Sequence, residues 1–280
     1  METEKTAKHF NELLVVKVGT NTLTTRDSLN RLALDRQSFN RIGHQISQLA
    51  DKGAALAVVS SGAIAAGYAY SREERTHETR QDIIEKQRMA CLGQTILMNY
   101  WQQALRPKLV GQLLFTKREL ETTEGAELSA VTIRLFEHGD IAIANENDAL
   151  SHEEITFGDN DTLAARFAVL LHKSGIFTRT RLVILSDIDG VYENAHDQHS
   201  VIPIIDDIDA YTHVAGDTNS INGTGGMISK FNAAKIAAQN GIETYIANGR
   251  AQNVIKRVLA GEIGTQFTTS SRHDAGTLTK

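Results

Sequence analysis

The chain has 280 residues, 41% hydrophobic and 22% charged, enough to bury a substantial core in one large α/β unit or two small ones. Its formal net charge of -5 argues against a nucleic-acid or anionic-membrane partner, since either calls for a basic excess. Cys91 is the only cysteine, so no intrachain disulfide can form. No apolar run approaches the roughly 18–20 residues of a membrane span, and the polar N-terminus has no apolar signal segment, so a cytoplasmic location is expected.

In chain order, residues 1–12 read as a polar extension. Leu13 to Val18 reads as a buried strand ending at Gly19. Phe39, Ile42, Ile46 and Leu49 recur at spacings of three and four, which predicts a helix with one apolar face, terminated near Gly53. Leu56 to Ser60 is a second strand. It runs into Gly62 and a small-residue helix start, and the charged stretch Ser71 to Arg80 follows as an exposed loop. A long helix is predicted over 82–105. It carries Trp101 as a core or interface residue and Cys91 as a core residue. Strands at Val110–Phe115 and Ile141–Ala144 flank a helix around 126–138. Another helix holds Arg166 to Leu171, and Leu182 to Leu185 is again a buried strand. A helix over 229–240, a strand at Thr244–Ala247, a helix over 251–260 and a polar tail over 269–280 complete the chain. This alternation predicts a mostly parallel sheet with helices on both faces, whose ligands bind at the carboxyl ends of the strands.

Five segments carry chemistry, and each follows a strand or opens a helix. Lys17 interrupts an apolar strand beside Gly19. Its ammonium can meet a phosphate there, or it can sit on an edge strand and reach water. Ser60-Ser61-Gly62 followed by a helix makes an anion cradle or a tight strand–helix turn, but lacks the G-x-S-x-G pattern of a hydrolase nucleophile. Asn145-Glu146-Asn147-Asp148 and Asp159-Asn160-Asp161 concentrate carboxylates and amides that can hold an ammonium, a metal ion or a lysine; Asn160 or Asp161 can equally cap a helix. Ser186-Asp187 closes a strand, as a simple turn or as a nucleotide contact. Thr224-Gly225-Gly226-Met227-Ile228-Ser229-Lys230 leads glycines into a helix whose first turn carries a lysine. That composition suits a phosphate loop, although the Walker A pattern is absent. His196-x-x-His199 lies in a polar loop and is set aside as a metal pair.

Taken together and in this order, these segments resemble the amino-acid kinase family over roughly residues 13–268. Val16-Lys17-Val18-Gly19-Thr20, the run from Ser60 to Gly67, and Asn145-Glu146-Asn147-Asp148 are similar to the branch that phosphorylates the side-chain carboxylate of glutamate in proline biosynthesis. The Lys-Phe-Gly-Gly strand end of aspartokinases is absent. The resemblance implies a three-layer α/β/α sandwich with a mostly parallel central sheet, using ATP and L-glutamate. Mg²⁺ would be held mainly by the phosphates, with no dedicated metal ligands from the chain. Lys17 and Lys230 would contact ATP phosphates, and Asp161 would orient both lysines. Ser61, Asp148 and Asn160 would bind glutamate, with Asn147 beside them. Gly19, Ser186, Asp187, Thr224, Gly225, Gly226, Met227, Ile228 and Ser229 would line the nucleotide. Homo-oligomerisation and feedback inhibition by proline are common in the family. Many members carry a further C-terminal RNA-binding-like domain, for which this sequence has no room.

A glutamate side chain has an ordinary pKa near ~4.3 and is already a nucleophile at neutral pH, so no general base is required. The difficulty is that an anion must attack a polyanion. That difficulty calls for lysines and backbone N–H groups rather than a histidine dyad.

Overall fold

The computed structural model describes residues 9–73, 76, 78, 82–150, 160–194, 197, 199–211 and 226–269. Its centre is an eight-stranded sheet. In chain order the strands are β1 (Phe10–Val18), β4 (Ala55–Ser60), β5 (Val110–Phe115), β6 (Ile141–Glu146), β7 (Phe177–Ser186), β8 (Ile204–Ile205), β9 (Glu243–Asn248) and β10 (Thr265–Phe267). They lie side by side in the order β5-β6-β4-β1-β7-β9-β10-β8. Every neighbouring pair is parallel except β9 with β10. The short strands β2 (Thr24–Arg26) and β3 (Leu32–Leu34) form a separate antiparallel hairpin.

The sheet is covered on both faces, and side-chain alternation along each strand decides what each face meets. From β1, Leu13 and Val15 point to one layer, together with Ala57, Val59, Leu182 and Ile184. That layer contains α7 (Asn160–His172), α8 (Met227–Ala238) and the end of α6 (Glu124–His138). Leu14, Val16 and Val18 point the other way, with Leu56, Val58, Val183 and Leu185. They meet α2 (Arg36–Asp51), α3 (Ala63–Ser71), α4 (Ile83–Leu105) and α9 (Val254–Leu259). Two four-residue helices, α1 (Thr20–Leu23) and α5 (Lys117–Leu120), turn the chain after β1 and β5. The three-layer arrangement expected from the sequence is the one observed.

Local chemistry sets the helix ends. Asp35 caps α2 by accepting from the Gln37 N–H, and Asp82 caps α4 by accepting from Glu85 N–H at 3.1 Å. Gly139, with φ of 78°, ends α6 in the left-handed conformation while its N–H meets the Leu135 and Phe136 carbonyls. Helices α3 and α4 cross at glycines. A Cβ on Gly93 would lie 1.8 Å from the Ala63 carbonyl oxygen, so only the absence of a side chain allows this approach. Farther along α4, Trp101 is fully buried, stacks edge-on against Phe39 at 4.9 Å, and donates its indole N–H to Ser60 Oγ at 2.8 Å.

Three sequence expectations change. Cys91 is exposed on the outer side of α4, because its neighbours Ala90 and Gly93 take the inward positions. Lys17 is on no edge: β1 pairs with β4 on one side and β7 on the other, and the residue is only 7% exposed. The hairpin β2–β3 and the pairing of β10 with β9 add antiparallel ladders that the alternation did not suggest, and the short strand β8 extends the sheet edge parallel to β10.

Candidate active site

Gly19, Ser61, Asn147 and Asp187 each follow directly on the carboxyl end of a different sheet strand. β1 sits at the centre of the sheet. The chain builds first toward β4, β6 and β5, and then crosses to β7 and β9 on the opposite side of β1. Such a reversal opens a crevice above the strand ends.

Lys17 lies one residue before the carboxyl end of β1. Its odd position in β1 directs it toward α7 and α8, where Asp161 lies in the first turn of α7 with no exposed surface. Lys17 Nζ is 2.6 Å from Asp161 Oδ1, and Lys230 Nζ, from the first turn of α8, is 3.2 Å from Oδ2. Ser229 donates its hydroxyl to the same Oδ2 at 2.9 Å. One carboxylate thus holds two lysines from opposite ends of the sequence, both almost fully buried. Burial alone would raise the Asp161 pKa. The adjacent Lys17 and Lys230 charges and the bonds from Lys17 and Ser229 outweigh it, and hold the group down at about 2. The cluster carries two positive charges against one negative, an arrangement suited to a phosphate group.

Toward β4 and β6 the site is made of amides. Asn160, which opens α7, donates Nδ2 to Ser61 Oγ at 2.9 Å and to Asn145 Oδ1 at 3.0 Å. Asn145, near the end of β6, is buried and donates to Gln94 Oε1 on α4 at 2.9 Å. Gly62, with φ of 110°, makes the turn from Ser61 into α3. Asn147 and Asp148 begin the loop after β6 and are partly buried. Burial pushes the Asp148 carboxyl up to about 6.

Toward β7 and β9 the site has a different character. Asp187 accepts from Asn21 Nδ2 at 2.8 Å and from Ser186 Oγ at 3.1 Å. Burial raises the Asp187 pKa, but the Asn21 bond, the backbone and Ser186 bonds and the nearby Lys230 charge leave it lowered overall. Gly19 approaches the same place: a Cβ there would lie 3.3 Å from the Leu185 carbonyl oxygen and 3.7 Å from Lys17 Nζ. Gly226 precedes α8 without a side-chain cap, so the N–H groups of Met227, Ile228 and Ser229 begin that helix beside Lys230. Thr224 and Gly225 lie outside the described residues, as does His196. Among the described residues no three His, Cys, Asp or Glu side chains gather into a metal site.

The structure therefore brings Lys17, Asp161, Ser229 and Lys230 into one cluster, with Ser61 and Asn160 in hydrogen-bond contact on one side of it and Ser186 and Asp187 on the other. Gln94 carried no sequence signal as a site residue, because a lone glutamine in a long amphipathic helix has none. Asn145 lay inside a motif but had no role assigned, and Asn21 stands just beyond the Val16–Thr20 segment.

Comparison with known proteins bears on the family and the fold. The family model described as the amino acid kinase family matches residues 12–248. A glutamate 5-kinase of Thermus thermophilus is 38% identical over 267 residues, covering 93% of this chain and 68% of the relative. A glutamate 5-kinase of Clostridium acetobutylicum is 38% identical over 277 residues, covering 96% of this chain and 98% of the relative. Among solved structures, a UMP kinase from Bacillus anthracis superposes with a TM-score of 0.58 at 13% identity, over 94% of this chain and 98% of the other. An isopentenyl phosphate kinase does so with a TM-score of 0.59 at 18% identity, over 91% and 100%. At those identities the structural likeness speaks for the fold alone, while the extent of the sequence match settles membership: the chain belongs to the amino acid kinase family.

Proposed function

We propose that this chain transfers the γ-phosphoryl group of ATP to the side-chain carboxylate of L-glutamate, giving L-glutamyl 5-phosphate, the opening reaction of proline biosynthesis. The observation that carries this reading is the pair of buried lysines, Lys17 and Lys230, fixed on Asp161 between the hydrogen-bonded amides of Asn145 and Asn160 and the carboxyl end of β7.

The nucleophile is a glutamate side-chain oxygen, already ionised at neutral pH. It forms a bond to the γ-phosphorus as the bond from that phosphorus to the β,γ-bridging oxygen breaks, and ADP departs with the electron pair. No proton moves, so no general base is needed. The chain must hold three anionic groups together: Lys17 from below and Lys230 from the α8 side face the transferring group. Asp161 holds both ammoniums in place before substrate arrives, so little reorganisation remains at the moment of transfer. The first-turn N–H groups of α8 add donors for phosphate oxygens. Ser61, Asn160, Asn147 and Asp148 form the amino-acid pocket, in which the Asp148 carboxylate meets the substrate ammonium. Gly19, Ser186, Asp187 and the segment from Thr224 to Lys230 receive the nucleotide. Mg²⁺ bound with ATP would supply further positive charge at the phosphates. Its ligands would be mainly phosphate oxygens.

The test is glutamate-dependent ADP release by the purified chain, with hydroxylamine trapping of the acyl phosphate. Glutamate-independent ATP hydrolysis, or transfer to aspartate in preference to glutamate, would refute the assignment. The same reading includes a homo-oligomer and inhibition by proline, which light scattering and a proline titration of the same assay check.

A further inference from the structure

A buried chain of amides runs from α4 to the amino-acid pocket, and one peptide group fixes its direction. The Glu146 N–H can only donate, and it donates to Asn145 Oδ1 at 2.9 Å. That bond identifies the oxygen of Asn145, so the opposite atom, Nδ2, must donate; its acceptor at 2.9 Å is Gln94 Oε1. The same Asn145 oxygen also faces Asn160 at 3.0 Å, so the Asn160 atom there must be its NH₂ group. This NH₂ group reaches Ser61 Oγ at 2.9 Å, which leaves the Ser61 hydroxyl hydrogen free to donate elsewhere. Asn160 Oδ1 is left over, an acceptor with no partner among the described residues. At the other end of the chain, Gln94 Nε2 is buried without a partner, a rare condition for a polar atom, on a residue only 9% exposed. Gln94 and Asn145 are both at least nine-tenths buried, so neither amide is free to turn with the solvent.

We propose that Gln94 and Asn145 are positioning residues that lock the amide of Asn160 so that its carbonyl oxygen, rather than its NH₂ group, is presented to the substrate ammonium, making the relay a determinant of selectivity for an α-amino dicarboxylate over a plain dicarboxylate. The proposal rests on the placement of Asn160 in the glutamate pocket. Its physical content is a choice between two rotamers of one amide that are nearly equal in shape and opposite in polarity. An NH₂ group turned toward an ammonium repels it, whereas the carbonyl oxygen binds it. A dicarboxylate lacking the ammonium is indifferent to the loss of that acceptor. Free Asn160 would sample both orientations; tied to Asn145, it samples one.

The experiment compares the KM for L-glutamate with the Ki for glutarate, the same dicarboxylate without its amino group, in the full-length chain. Asn145→Ala removes the acceptor that orients Asn160, and the preference for glutamate over glutarate is expected to fall on the order of tenfold, the scale of one hydrogen bond to a charged group, while the KM for ATP stays within about twofold. Asn145→Asp keeps an oxygen for both the Glu146 N–H and the Asn160 NH₂ group, and Gln94 can turn its amide to donate, so this variant is expected to retain the preference. A general packing defect would weaken glutamate and glutarate alike and would not distinguish Ala from Asp. Should Asn145→Ala not fold, Gln94→Leu withdraws the acceptor behind Asn145 and is expected to shift the ratio in the same direction. An unchanged ratio in the folded variant overturns the relay while leaving the kinase reading intact. Absence of glutamate-dependent turnover in the unmodified chain overturns both.

Discussion

Substituting Asp161 by asparagine keeps the shape of the central cluster and removes its negative charge. Two ammoniums, at 2.6 Å and 3.2 Å from the carboxylate oxygens, then face a neutral amide that can offer a lone pair to only one of them. Removing one partner of a buried ion pair costs about 3–5 kcal/mol, because the remaining charge stays buried without compensation. Unfolding entropy of about 2.1 cal/mol/K per residue, over a chain of 280 residues, amounts to about 0.6 kcal/mol/K. The Asp161→Asn melting temperature should therefore fall by about 5–8 °C in a calorimetric or fluorescence melt without nucleotide. Removing one of the stranded ammoniums should recover part of the loss. The double variant Asp161→Asn with Lys17→Met is expected to be more stable than the sum of its single effects, by about 1–3 kcal/mol. A melting temperature within 2 °C of the parent, or strictly additive effects, would show that Asp161 does not hold the lysines together, and the electrostatic account of the site would fail with it.

Lys230→Ala should lower kcat by about 10²–10³-fold, the scale for removing one preorganised donor to a transition state, and wild-type turnover in that variant would remove Lys230 from the mechanism. Asp148 gives a pH signature. Burial raises its pKa to about 6, so below that pH the free protein presents a neutral acid to the substrate ammonium. The kcat/KM for glutamate should decline as pH falls through 6, and Asp148→Asn should be lower throughout and lack that inflection. For stability the signs of Asp148 and Asp161 are opposite. The raised pKa of Asp148 gives stability that is present below about pH 4 and lost as pH rises through 6. The depressed pKa of Asp161 gives stability that is present above about pH 4 and lost as pH falls through 2. Melts of Asp148→Asn and Asp161→Asn across pH 3–8 read the two contributions separately. Gly93→Ala should destabilise the chain by more than the usual ~1–3 kcal/mol of overpacking, because the new methyl would lie 1.8 Å from a backbone oxygen rather than against a yielding side chain. Since α3 starts two residues after Ser61, across the Gly62 turn, the KM for glutamate should rise in the same variant.

The layered fold was legible because buried parallel strands announce themselves as continuous apolar runs. Leu13–Val18, Leu56–Ser60 and Leu182–Leu185 all lie in central strands. Polar residues embedded in or directly after such runs were equally visible: Lys17, Ser61, Asp148 and Asp187 stand at strand ends, where the parallel arrangement puts them on one edge. The short strands at the sheet edge escaped notice. Strand β8 has two residues and β10 has three, too few for a period to register. Cys91 escaped for another reason: helical phase turns it outward, and residue type alone reports frequency of burial rather than direction. The amide relay was illegible because hydrogen-bond polarity depends on which atoms meet across β6, α4 and α7, and sequence order carries no trace of that.

The alternation of β1 has a consequence for folding as well as for chemistry. Leu13, Val15 and Lys17 share one face of the strand, and Leu14, Val16 and Val18 share the other. Both faces are greasy enough that hydrophobicity scarcely distinguishes one setting of the strand from the same strand slid by a single residue. The ammonium does distinguish them. A slipped β1 would drive Lys17 into the apolar layer of Phe39 and Leu97 and away from Asp161, which would be stranded in the opposite layer. The side chain proposed to meet the phosphates thus also disfavours the nearest wrong pairing of the central strand, so a variant with Lys17→Met should lose fidelity in strand alignment.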